Sequence, residues 1–146
     1  MNFVSTRRLQ YFYEHIKTFF AQDWNVVHKE DDEEIWSSKT FMKGVFGNAV
    51  ALTSGAINVA AGTFFTKTIS GNTTFTFSGV PTGRSACFSI KLEDGGDYTV
   101  TWPSNVHWGN DTEPELTSGG TDILTFMTFD GGTTWYGTLS MTGITQ

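Results

Sequence analysis

Four things are scarce in this chain, and each scarcity removes a class of protein. Cys87 is the single cysteine, so no disulfide forms within the chain. Charged residues make up 16 % of the sequence, well below the about 25 % usual for soluble domains. Their balance is acidic, with a net charge of −6, which argues against nucleic acid, because phosphate binding needs Lys and Arg gathered on one face. No apolar run approaches the ~20 residues of a membrane-spanning helix. The opening MNFVSTRRLQ has no apolar core after its arginines and no cleavage site, so no secretory signal is expected. The product is expected to stay in the cytoplasm where it is made, or to be assembled there into something larger. Finally, glycine and proline are missing from the first 43 residues, since all 16 glycines and 3 prolines lie at Gly44 or beyond.

That last absence divides the chain. Residues 1–43 form a charged, breaker-free leader that holds Arg7, Arg8, Lys17, Lys29, Lys39 and Lys43. Residues 44–146 form a Gly/Thr-rich, charge-poor body. In the leader, Leu9, Phe12, Tyr13, Ile16, Phe19 and Phe20 recur at spacings of three and four, which predicts one apolar face of a helix. Ser5 or Thr6 is placed to cap its start. An isolated helix of this length is marginal in water, so a face carrying three phenylalanines needs a cover, either the body or partner chains. Arg7 and Arg8 are too few to hold an anionic membrane. The acidic run KEDDEEIW (Lys29 to Trp36) packs its carboxylates contiguously and has no glycine, unlike a calcium loop with alternating ligands. It reads as a solvated linker or an acidic patch.

From Gly44 the pattern becomes short alternating runs between turns. VFGNAVAL, AINVA, TFFTKTI, TTFTFSG, ACFSIKL, DYTVTW, DILTFMTF and TTWYGTLSM each predict a strand. Short strands at this spacing predict a mainly β body, an antiparallel sandwich or a barrel of jelly-roll type. Strand number does not choose between them. In SACFSI, Cys87 reads as a buried, inert thiol. LEDGGDYTV and TFDGGTTWY each run from a strand through Asp-Gly-Gly into another strand. Asp tolerates the left-handed conformation and Gly adopts it freely, so both are predicted hairpins with Asp94 and Asp130 as turn residues. Successive strand residues point to opposite faces, so Trp135 and Tyr136 cannot both be buried. One serves the core; the other faces solvent, a ligand or another subunit.

No reaction centre stands out. His15, His28 and His107 fall on the helix surface, in the linker and in a loop, and none has a second ligand at metal spacing. No nucleophile elbow, phosphate loop or nucleotide fingerprint occurs. The loop HWGNDTEPELTSGG supplies the one candidate ligand site, Trp108, Asn110, Asp111, Glu113 and Glu115. Aromatic platforms beside carboxylates (Trp102 is also close in sequence) suit sugar binding, and paired carboxylates can cleave glycosides. Nothing places two of these carboxylates on facing strands, and Pro114 splits the cluster. No enzymatic activity, metal or cofactor is therefore expected.

The body from about Gly47 to Leu139 resembles a β domain that recurs in bacteriophage tail-fibre and other virion proteins. The resemblance rests on TFFTKTISGNTTFTFSGVPTG, on GGDYTVTWP, on the Val106–Trp108 loop running to Pro114 and Leu116, and on DILTF followed by DGGTTWYG. It implies a non-enzymatic structural role in a phage tail, commonly as a homotrimer. Its partners would be copies of itself and other tail or baseplate proteins. The acidic GNDTEPE, longer than the usual turn, departs from the pattern. A leader of some 45 residues in place of a long shaft suits a short fibre, a baseplate or tail adaptor, or a capsid decoration. A carbohydrate-binding tip that recognises host glycans is the alternative. In the assembly reading, the leader stripe and the exposed member of the Trp135/Tyr136 pair make the subunit contacts.

Overall fold

The computed structural model describes residues 6–21, with the side chains of 7–16, and residues 46–145. The expected acidic linker, His28, Ser5, and the side chains of Phe19 and Phe20 lie outside the described residues. The chain divides into two compact units, Met1–Gly44 and Val45–Gln146.

The first unit contains α1 (Thr6–Ala21), a 16-residue helix. It covers the stretch whose three-and-four spacing predicted it. Leu9, Phe12, Tyr13 and Ile16 lie exposed on it, and Tyr11 stacks on His15 one turn later, ring centres 4.7 Å apart. Neither the first turn offers an acid nor the last turn a base to complement the helix dipole, so its stability must come from whatever covers the apolar stripe.

The second unit is mainly β. Its strands are β1 (Ala49–Ala51), β2 (Ala56–Asn58), β3 (Phe64–Thr68), β4 (Thr73–Thr74), β5 (Thr76–Ser78), β6 (Ala86–Glu93), β7 (Val100–Thr101), β8 (Val106–Trp108), β9 (Thr121–Thr128) and β10 (Trp135–Ile144). Each of the eight predicted runs contains a strand. The run TTFTFSG bends at Phe75 into two strands that enter different sheets, and β8 was read as loop. One six-stranded sheet has the order β1-β3-β6-β9-β10-β8, and two short sheets pair β2 with β5 and β4 with β7.

The pairing direction corrects the expected antiparallel arrangement. The sheets are mixed: among the described strands only β6–β9 and β9–β10 are antiparallel. The pairs β1–β3, β3–β6, β8–β10, β2–β5 and β4–β7 are parallel. Between visits to the large sheet the chain passes through the small ones, so each return enters in the same direction as before.

The hydrophobic core draws on side chains from strands of all three sheets. Phe88, Ile90 and Leu92 of β6 and Leu124 and Phe126 of β9 are buried, as alternation along those strands requires. Phe77 of β5 is their hub. Its ring meets Phe88 and Phe126 edge-on at 5.0 Å each and Trp135 at 5.2 Å. Phe75 stacks on Trp102 at 4.6 Å. Such ring pairs add about 0.5–1.5 kcal/mol each beyond area burial.

One expected hairpin forms and the other does not. β9 and β10 are joined through Asp130-Gly131-Gly132, with Tyr136 opposite Met127. Asp94 does adopt the left-handed conformation, φ 58°. The chain then makes a 3-10 turn over Gly95–Asp97 and leaves for β7, which pairs with β4.

Candidate functional site

The 108–115 loop starts in the core and ends in solvent. Trp108 closes β8 half-buried, its ring 5.7 Å from Trp102 and 5.5 Å from Phe126. Gly137 makes the room: a Cβ there would stand 2.6 Å from Trp108 Cζ3 and 2.9 Å from Phe126 Cε1. The following 3-10 turn carries Asn110 and Asp111 at φ 57° and 52°, a conformation that short polar side chains tolerate best. Asn110, Asp111, Glu113 and Glu115 are exposed.

The grouping expected for a ligand therefore splits. Trp108 and Trp102 pack inside the body and are not open platforms; Trp102 is buried, with its Nε1 unpartnered. Glu113 and Glu115 line a shallow polar cavity of about 350 Å³ together with Gly95, Gly96 and Tyr98. Tyr98, 45 % exposed, is the aromatic that stands beside these acids. Its run, DYTVTW, predicts a strand, and nothing in that pattern announces the acids that the fold brings beside it.

The far side of this loop is anchored by carboxylates. Buried Asp122 takes the Thr117 amide at 2.6 Å, the Thr117 hydroxyl at 2.8 Å and the Gly143 amide at 3.1 Å. Burial acts most strongly on its pKa and pushes it up. The bonds from Thr117, Gly143 and Thr142 together outweigh that and hold it below the usual aspartate value. Asp97 accepts from Ser118 Oγ and, at 3.3 Å, from the Gly119 amide. At the other turn, Asp130 accepts the Thr134 amide and the Thr128 hydroxyl at 2.9 Å each. Bonding from Thr134 first, and then from Thr128 and Thr133, lowers its pKa. Asp94 and Asp130 are thus both used in turns.

The expected split of Trp135 and Tyr136 holds. Trp135 is buried at 2 % exposure and Tyr136 is half exposed. Tyr136 belongs to a row that sequence reasoning missed. In register across four strands stand Cys87, Met127, Tyr136 and His107, and all four are exposed on the outer face of the large sheet. Cys87 was expected inside and His107 in a loop. In β6 the bulky Phe88, Ile90 and Leu92 take the inner face, and Cys87 shares its parity with Ser89 and Lys91. Phe129 lies 6.2 Å from Tyr136, centre to centre.

The rest of that face is neutral. Phe64, Ser89, Thr125 and Thr138 form the next row. The hydroxyls of Ser89, Thr125 and Ser140 bond in a chain at 3.0 Å per link. Lys91 and Glu93 pair at 2.7 Å, and Thr68 donates to Glu93 at 2.7 Å. Bonding from Lys91, then from Thr68, lowers the Glu93 pKa.

Among the described residues no cluster of three His, Cys, Asp or Glu is arranged to hold a metal ion, and no helix is long and apolar enough to cross a membrane. Comparison with protein-family models, curated proteins and solved structures finds no match.

Proposed function

We propose that the protein is a non-enzymatic structural subunit of a bacteriophage virion, a short tail fibre or a baseplate or tail adaptor that assembles as a homotrimer. The virion setting rests on the sequence resemblance of the body. The observation that carries self-assembly is α1: Leu9 is 57 % exposed, Phe12 63 % and Tyr13 58 %. Each such side chain gains roughly 1.5–3 kcal/mol when fully buried. A helix of this length needs that gain to persist in water, and bringing three copies together at an axis supplies it. A sandwich-like layering of the body belongs to the same proposal, with the large sheet on one side of the Phe77 ring cluster and the short pairs on the other.

Light scattering on the full chain tests the assembly. The expected mass is three chains, falling to one in Phe12→Asp/Ile16→Asp. A wild-type mass of one chain at micromolar concentration overturns it. Immunogold labelling of virions tests the location, and gold confined to infected-cell lysate overturns that part.

A second reading, glycan recognition at a fibre tip, is favoured by Tyr98 beside Glu113 and Glu115 in one polar cavity. A glycan array decides it. A signal that Tyr98→Ala abolishes supports this reading, and no signal from the wild type ends it.

A further inference from the structure

We infer that the outer face of the six-stranded sheet is the surface on which a second copy of this chain packs. The inference rests on the self-assembly proposed above and assigns it a surface in the body.

Three observations carry it. The first is charge. Two copies each carrying −6 repel, so they meet most easily through a patch that is itself neutral. The acids Asp94, Asp97, Asp111, Glu113, Glu115 and Asp130 lie in turns and loops, and Asp122 is buried. On the outer face Lys91 and Glu93 already neutralise one another within each copy. A basic partner would find no acid there left to pair with, and an acidic partner only the His107 imidazole, whereas an identical copy brings the same nearly neutral surface.

The second is the cost of drying. A hydroxyl buried without a partner gives up its bonds to water and gains none in return. Here Ser89, Thr125 and Ser140 already bond to one another across β6, β9 and β10, so most of that cost does not arise on contact.

The third is area. Phe64, Phe129, Tyr136 and Met141 are 55 %, 68 %, 50 % and 57 % exposed, and Met127 36 %. With ~150–250 Å² per large side chain, they offer about 500 Å² of mostly apolar surface, over half of the ~800 Å² per partner in a specific interface. Beside Cys87 and Met127 the face dips into an apolar groove of about 710 Å³, bounded by Val80, Pro81 and Phe129. A three-fold ring sets one part of this face against a different part of the neighbour's, and the groove gives a neighbour's projecting ring a seat. The sheet edges offer much less, because β1 and β8 have three residues each.

The test uses the full chain and two substitutions at exposed positions of the face, Met127→Arg and Thr138→Arg, with circular dichroism confirming the fold. Both are expected to reduce the light-scattering mass to that of one chain. Cys87 reports separately, since maleimide needs an accessible thiolate: labelling of the wild-type assembly should run about tenfold slower than labelling of Thr138→Arg, whose added charge lies in another row and two strands away. An unchanged mass in both variants, with Cys87 labelled equally fast in all, overturns the inference. If Phe12→Asp/Ile16→Asp still dissociates that same assembly, the homotrimer survives without this face. A wild-type mass of one chain overturns both.

Discussion

The two Asp-Gly-Gly segments share three residues and lead into different architectures. After β9, Asp130-Gly131-Gly132 folds the chain back onto its own strand. Gly131 and Gly132 take φ of 77° and 85°, and Asn105 donates to the carbonyls of Gly132 and Thr133 at 3.1 and 2.9 Å. After β6, Asp94 alone is left-handed, Gly96 donates to Thr117 O at 3.1 Å and Asp94 to Gly120 O at 2.9 Å, and the next strand joins another sheet. The reason lies in the neighbours. Both edges of β6 are occupied, by β3 and β9, so nothing remains for a returning strand to pair with. β9 keeps one edge for β10. Turn residues set how the chain bends; free strand edges set where it goes next.

The sharpest way to break this comparison is one substitution at the third position of each turn. A Cβ on Gly96 would lie 2.3 Å from Leu116 O and 2.5 Å from Ser118 N, and neither backbone can swing aside. Gly96→Ala should cost about 3 kcal/mol, the upper end of overpacking, read from the urea midpoint of the full chain. At Gly132 the nearest atom to such a Cβ is Trp135 Nε1 at 3.5 Å, an ordinary contact. Only the positive φ penalises Gly132→Ala, by about 1–2 kcal/mol. If the two costs came out in the opposite order, the crowding assigned to the first turn would be wrong.

The smallest effect is in pH. Asp122 near the first turn and Asp130 in the second both have depressed pKa values. Their contribution is fully present above the unfolded value of about 3.9 and is lost as pH falls through the folded values. The urea midpoint should be level from pH 7 to about 5 and decline below about 4. Asp122→Asn should lower the midpoint at pH 7 and flatten the acid decline; Asp130→Asn should do so less, since its turn keeps the Asn105 bonds. Equal acid slopes in wild type and Asp122→Asn would remove that carboxylate from the account.

What could be read in the sequence was parity. That Phe88, Ile90 and Leu92 share one face, that Trp135 and Tyr136 take opposite ones, and the three-and-four stripe of α1 all follow from side-chain periodicity; which face is inside does not. Pairing direction could not be read, because a period of two is the same in parallel and antiparallel strands. Cys87 was misplaced by weighing residue type over its parity with Ser89 and Lys91, a signal that was present. Trp108 was different. What seats it is the missing side chain at Gly137, brought alongside by the β8–β10 register, and no local pattern announces a vacancy two segments away. The neutral outer face was likewise hidden until register aligned Cys87, Met127, Tyr136 and His107.

The strand order also has a consequence in time. Among the described residues β9 and β10 are the only paired strands that follow one another directly along the chain; every other pairing there must close a longer loop, whose entropy is lost before any contact repays it. Folding is therefore expected in the slow, millisecond-to-second range of non-local β topologies. During synthesis β6 emerges with one long edge open, and its partner β9 arrives only after β7 and β8 have been made. β8 in turn waits for β10 before it can join the sheet. The nascent body is most exposed to pairing with the wrong strand in that interval, and the C-terminal hairpin ends it by closing both gaps at once.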